Sequence, residues 1–263
     1  MSRVYTLVNQ KGGVGKTTTA INLGAYLAYY GQKVLLVDLD PQSNATSSLK
    51  IDKNTIEGGT YEAMIENHRV VEYVLHNPKL KVSILPASPA LAGCEVELVN
   101  MQNRESRLRE AIDPIVKRYD YVIIDCPPSL GLLTLNGLIA AVDGVLIPVQ
   151  CEYLALEGLG QLMHTINLIR KSYYSGLRIR GVLLTMFDGR TNLSSDVELE
   201  VRKFFKEKVF RTIIPRTVRL AEAPSYGQPI SVYAPSSTGA IAYAALAREI
   251  MLTDGIIIPN SQE

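Results

Sequence analysis

The sequence predicts an α/β fold, doubly wound, with a mostly parallel sheet carrying helices on both faces. Three observations point there. Short runs rich in Val, Ile and Leu alternate with helix-length segments along the chain, the order that puts crossover helices on both sides of parallel strands. The runs are apolar throughout rather than alternating, as strands buried on both faces must be. Three of them lead directly into Gly-rich or acidic segments, at the strand ends where such sheets bind ligands.

Period and punctuation place strands at Val4 to Val8, Val34 to Asp38, Val82 to Leu85, Tyr121 to Asp125, Val145 to Val149, Ile179 to Thr185 and Thr212 to Ile214. Helices fall between or after them at Thr17 to Tyr30, Glu95 to Val116 with one or more breaks, Gly131 to Ala141, Leu156 to Tyr173, Asn192 to Lys206 and Ala240 to Leu252. The stretch from Ser43 to Asn77 is polar and weakly periodic, and short helices are the expectation for it. The segment from Gly255 to Glu263 reads as a docked or frayed tail.

The most informative segment follows the first strand: Gln10-Lys11-Gly12-Gly13-Val14-Gly15-Lys16-Thr17-Thr18. Glycines at 12, 13 and 15 let successive backbone N–H groups close around a phosphate, and the next helix turns its positive end to the same anion. In such a loop Lys16 reaches the β- and γ-phosphates of a nucleotide and the Thr17 hydroxyl ligates Mg²⁺. The regular pattern has Gly where this chain has Gln10, and it lacks the second lysine, Lys11. At the mouth of the loop, Lys11 is poorly placed to curl onto phosphates already enclosed by backbone. It is free to point outward, toward a nucleotide held by a second copy of the chain.

Two acidic strand ends suit the same chemistry. Val34-Leu35-Leu36-Val37 runs into Asp38-Leu39-Asp40, and alternation along an extended chain sets both carboxylates on one side, toward Mg²⁺ and an attacking water. Tyr121-Val122-Ile123-Ile124 delivers Asp125, which suits a water on Mg²⁺, and Pro127-Pro128 then forces a turn.

A chain of 263 residues buries enough surface to stand as one domain, 1–263, without disulfide or metal staples. Cys94, Cys126 and Cys151 are odd in number and lack the spacing of a metal or redox motif, so they read as small buried side chains of a reducing cytoplasm. The apolar start ends at Asn9, too short for a signal peptide, and Leu130 to Val149 is broken by Asn136, Asp143 and Pro148, so no membrane segment is expected. The net charge is only +1, but residues 170–219 hold twelve Lys and Arg against five acids, +7, leaving −6 elsewhere. That asymmetry suits either an anionic partner or a solvated helix paired with Glu198, Glu200 and Glu207.

The loop Lys11 to Thr17 resembles the deviant Walker A loop of the ParA/MinD ATPases. Three further segments, Cys151 to Gly158, Asp188 to Leu193 and Pro215 to Ser225, look like parts of the chromosomal ParA proteins, often called Soj, and the similarity covers nearly the whole chain. The resemblance implies a P-loop ATPase that uses ATP and Mg²⁺. Lys11, Gly12, Gly13, Val14, Gly15, Lys16, Thr17 and Thr18 would cradle the phosphates, with Pro215 and Thr217 against the adenine, where many relatives carry Asn in place of Thr217. It assigns Lys11, Lys16 and Asp40 to catalysis, with Lys11 acting in trans across an ATP-dependent homodimer and Asp40 on the water. Thr17, Asp38 and Asp125 would serve the metal. Arginines matching Arg190 and Arg219 would bind double-stranded DNA without sequence preference, and a DNA-bound ParB-type partner would stimulate hydrolysis, in a cytoplasmic, nucleoid-associated protein. The phosphate loop begins at residue 10 with no DNA-reading domain before it, which argues against operator binding. Two rivals share the loop. A MinD-like membrane-cycling regulator needs a basic amphipathic helix near the end of the chain, whereas Ala240 to Leu252 is almost uniformly apolar. An iron-protein-type ATPase needs paired cysteines bridging subunits, for which only Cys126 lies close to the site.

Overall fold

The computed structural model describes residues 2–66, 69–153 and 155–257. In chain order it contains β1 (Arg3–Leu7), α1 (Lys16–Tyr29), β2 (Val34–Asp38), α2 (Asn44–Ser47), α3 (Thr60–Ile65), β3 (Leu75–Asn77), β4 (Val82–Leu85), α4 (Leu91–Leu98), α5 (Arg107–Val116), β5 (Tyr121–Asp125), α6 (Leu132–Ala140), β6 (Gly144–Gln150), α7 (Ala155–Ser172), β7 (Ile179–Thr185), α8 (Asn192–Phe205), α9 (Val218–Glu222), α10 (Ile230–Tyr233) and α11 (Thr238–Thr253). The strands form one seven-stranded sheet in the order β3-β4-β2-β5-β1-β6-β7. All neighbours are parallel except β3 and β4.

Successive strand residues serve opposite faces, as strand geometry demands. Tyr121 and Ile123 of β5 join a core with α1 and α11, while Val122 and Ile124 pack under α4, α5 and α6. A third cluster seats α7 and α8 on β6 and β7. The central strands carry no exposed residue, which explains their continuous apolar runs. Helix α1 lies close against β2: a Cβ on Gly24 would come within 2.8 Å of the Leu36 side chain. At the helix's far end Gly31 adopts φ +87 and donates to the Ala28 carbonyl, a left-handed stop that returns the chain to β2.

The expected strands at β2, β4, β5 and β7 have the observed bounds, and α7, α8 and α11 lie where apolar spacing puts them. The expected break in Glu95 to Val116 is real and separates α4 from α5. One expectation fails. Thr212 to Ile214 is extended but is not a strand, although it runs beside β7, with Phe210 N–H donating to Val182 O (2.9 Å) and Ile214 N–H to Leu184 O (2.9 Å). The ladder is interrupted because the Glu249 carboxylate of α11 takes the N–H groups of Arg211 (2.7 Å) and Thr212 (3.0 Å). The seventh strand is instead β3, a three-residue antiparallel edge in the weakly periodic stretch, which also holds the expected short helices α2 and α3. The tail beyond Ile257 lies outside the described residues.

Candidate nucleotide-binding site

The carboxyl ends of β1, β2 and β5 converge, and the loop after β1 sits over them. Two deviations from the regular loop are tied to neighbouring structure. Gln10 donates to the Gly158 carbonyl and to Gln161 of α7, both at 2.9 Å. Lys11 forms an ion pair with Glu152 just before α7. Buried Asn9 fixes the entry to the loop, donating to Pro148 O at 2.7 Å and accepting from Lys11 N–H at 3.0 Å. The loop then needs left-handed backbone at Gly13 (φ +74) and Gly15 (φ +90), a region that a β-carbon disfavours. Thr185 at the end of β7 donates to Val14 O at 2.8 Å and clamps the outer turn.

The two loop lysines part company. Lys16 is buried, and its Nζ folds back to donate to Lys11 O at 3.1 Å. Burial lowers its pKa, and Asp125 and Asp40 oppose that shift. Lys11 keeps a third of its side chain exposed at the rim (34%). Gly12, Gly13, Lys16, Thr17, Asp40 and Asn44 line an open cavity of about 330 Å³, the phosphate end of the site.

Asp38 and Asp125 are register neighbours on β2 and β5, and both are buried. Their surroundings differ. Asp38 Oδ2 accepts from the Thr46 amide (2.8 Å) and hydroxyl (2.7 Å), and Oδ1 accepts from Asp40 N–H (3.2 Å). Burial nevertheless pushes its pKa up to about 6. Neither oxygen of Asp125 has a hydrogen-bond partner among the described residues. Its pKa is driven well above the carboxylate range by burial and then by Asp38, and nearby Thr17 and Lys16 offset this only in part. A buried carboxylate left unsatisfied is costly, and a cation with its waters removes that cost. The fit with Mg²⁺ is good, because that ion keeps several waters and takes one or two carboxylates plus phosphate oxygens. Asp40 is held by its own turn, accepting from Gln42 N–H at 3.0 Å, and faces the phosphate cavity.

Beyond the loop a second cavity of about 590 Å³ is lined by Gly15, Thr18, Pro215, Thr217, Leu220 and Tyr243. Pro215 and Thr217 thus lie together in a cavity that adjoins the loop cavity through Gly15, Thr18 and Met186. The Thr217 hydroxyl is engaged as the cap of α9, accepting from Arg219 N–H at 3.3 Å. Arg190 lines the rim of this cavity and is exposed, held in a two-point contact with Asp188 (2.8 and 2.7 Å). Arg219, on the first turn of α9, pairs with Glu222 at 3.1 Å. Of the acids expected to neutralise the basic window, Glu198 pairs with Arg202 (2.7 Å), while Lys203, Lys206, Lys208 and Arg211 are exposed.

Sequence reasoning missed Glu152, Asn44, Thr185, Met186 and Tyr243. Met186 borders both cavities with φ +52, uncommon for a residue with a β-carbon. None of these lies in a spacing pattern, since their roles arise from where strand ends meet. Cys126 is fully buried, and among the described residues no three His, Cys, Asp or Glu side chains are grouped to hold a metal. No described helix is long and apolar enough to cross a membrane.

A family model for an AAA domain matches residues 2–179. The chromosome partitioning protein ParA of Myxococcus xanthus is 55% identical over 255 residues, covering 97% of this chain and 89% of that protein. The sporulation initiation inhibitor protein Soj of Bacillus subtilis is 53% identical over 250 residues, covering 95% and 98%. Among solved structures, a cobyrinic acid a,c-diamide synthase from Mycobacterium smegmatis with bound ADP and magnesium matches with a TM-score of 0.84 at 38% identity, over 98% of both chains. The cell division ATPase MinD of Pyrococcus furiosus matches with a TM-score of 0.77 at 25% identity, over 96% of this chain and all of that one. With the phosphate loop, the unsatisfied Asp125 and these relatives in view, the chain belongs to the ParA/Soj family of chromosome-partitioning ATPases, enzymes that hydrolyse ATP with Mg²⁺.

Proposed function

We propose that this ATPase partitions DNA through an ATP-dependent sandwich dimer. The observation that carries this reading is the separation of the two loop lysines: Lys16 lies buried and bonded within the loop, while Lys11 is partly exposed with its amine held by Glu152, outside the loop. A cation so placed serves a second subunit's phosphates better than its own. On closure it would leave Glu152 and stabilise the charge that develops during phosphoryl transfer, as an arginine finger does.

Within each subunit the loop amides and Lys16 would bind the phosphates, and the Thr17 hydroxyl and Asp125 would hold Mg²⁺. Mg²⁺, when bound, offsets the negative charge of the phosphate oxygens. Asp40, at the edge of the phosphate cavity, orients the attacking water. Pro215 and Thr217 border the base. Arg190 and Arg219 contact DNA phosphates, which carry no sequence information. Pairing two subunits doubles that surface, so DNA is held tightly by the dimer and weakly by the monomer. A DNA-bound ParB-type partner stimulates hydrolysis and so resets the cycle on the nucleoid, in the cytoplasm.

The MinD-like alternative gains nothing from α11, whose Ala240, Tyr243, Leu246, Ala247, Ile250 and Met251 are buried against the body of the fold. A gel shift with random-sequence duplex tests the proposal, using wild type and Asp40→Ala, the variant expected to retain ATP. DNA should shift with ATP and not with ADP; equal binding in both states would remove the switch.

A further inference from the structure

The geometry points to Thr46 as a positioning residue for ATP hydrolysis, acting through Asp38 to set the loop that carries Asp40. The inference rests on the reading that Asp40 orients the attacking water.

Thr46 is fully buried on α2, and three bonds meet there. Its hydroxyl donates to Asp38 Oδ2 at 2.7 Å, its amide donates to the same oxygen at 2.8 Å, and its oxygen accepts from Ala87 N–H at 3.0 Å, just beyond β4. The other oxygen of Asp38 receives Asp40 N–H at 3.2 Å. Thr60 closes the arrangement by donating to the Asp38 carbonyl at 2.7 Å. The ends of β2 and β4 are therefore joined through one hydroxyl, with the Asp40 turn attached to the same carboxylate.

This explains why two neighbouring buried aspartates differ. Asp125 is unsatisfied and open to a cation, whereas Asp38 spends its hydrogen-bonding capacity on the loop. Asn44 and Ser48 flank Thr46 and line the phosphate cavity with Asp40, so one anchor places three cavity residues. An anchor of this kind bears on where the water sits more than on nucleotide affinity, which the loop after β1 supplies.

Thr46→Val keeps the shape while deleting the hydroxyl, and Thr46→Ser restores it. Single-turnover hydrolysis, affinity for fluorescent ADP and deuterium exchange at the Ala87 amide without nucleotide are compared for both variants, with Asp40→Asn alongside. In Thr46→Val we expect hydrolysis to slow by about tenfold or more, the effect of a slightly misplaced group. ADP affinity should stay within about twofold. Exchange at Ala87 should accelerate, and Thr46→Ser should reverse both defects. Wild-type hydrolysis in Thr46→Val, with Asp40→Asn inactive, overturns the positioning role and leaves the Asp40 reading intact. A parallel loss of ADP affinity also overturns it, because the defect would then be a general one. Full activity in Asp40→Asn would instead overturn the Asp40 reading itself. If Thr46→Val does not fold, Thr60→Val loosens the same strand end: slower hydrolysis at unchanged ADP affinity supports the proposal, and wild-type hydrolysis overturns it.

Discussion

Replacing Asp38 by asparagine isolates the cost of holding a carboxylate in the interior beside Asp125. Burial raises the Asp38 pKa from 3.8 to about 6, against the lowering effect of its bonds to Thr46. Between those values the folded protein keeps a proton that the unfolded chain has released. Stability from this group is therefore complete below the unfolded value and is lost as pH rises through about 6. At 1.36 kcal/mol per pH unit, a rise of about two units amounts to about 3 kcal/mol, a large share of a typical folding free energy. Asp38→Asn lacks this titration. Its amide fits the Thr46 and Asp40 donors less well, but that misfit is the same at every pH and drops out of the trend. Relief of Asp125, whose pKa Asp38 helps to raise, acts in the same direction. The chain has no tryptophan, so urea unfolding of nucleotide-free protein is followed by circular dichroism at several pH values from 4 to 7. The stability of Asp38→Asn relative to wild type should climb by about 2 kcal/mol over that range, since part of the total is already lost at pH 4. A flat or falling difference refutes the electrostatic account of the pair.

Other substitutions probe separate parts of the account. Asp125→Asn removes the unsatisfied carboxylate, so isothermal titration should find nucleotide binding less sensitive to Mg²⁺ than in wild type, while phosphate release falls by about a hundredfold or more. Gly15→Ala forces a β-carbon into φ +90, and since the nearest heavy atom, Thr185 Cγ2, is 3.8 Å away, the cost is one of backbone alone. Denaturant midpoints should report about 1–2 kcal/mol. Arg190→Ala should weaken duplex binding uniformly and reduce the slope of log affinity against log salt by about one. Asp188→Asn should tighten the same binding by a few-fold, the scale of an exposed ion pair, but only while Arg190 is present, a dependence that a double-mutant cycle isolates.

The parts of the molecule that were legible in sequence are those with a local cause. Tyr121 to Asp125 announces itself because a strand buried on both faces is apolar throughout, and the phosphate loop because Gly13 and Gly15 enter a region that a β-carbon disfavours. What sequence hides is long-range. Thr212 to Ile214 looks like a strand until Glu249, far along the chain on α11, takes the N–H groups of Thr212 and of Arg211 before it. Strand β3 is too short and too exposed to leave a period. Asp38 and Asp40 are legible as a pair of strand-end acids, but the contacts that hold Asp38 run through Thr46 to Ala87, which no spacing links to it. Glu152 lies in the segment Cys151 to Gly158, yet its contact with Lys11 needs the fold to bring the end of β6 against the loop.

The central claim is that each subunit lends its rim lysine to the other's nucleotide. Size-exclusion chromatography with light scattering tests it most directly, comparing Asp40→Ala with the double variant Lys11→Ala/Asp40→Ala in ADP and then in ATP. The account predicts monomers throughout, except for Asp40→Ala in ATP, which should run as a dimer. A double variant that dimerises equally well with ATP would contradict it.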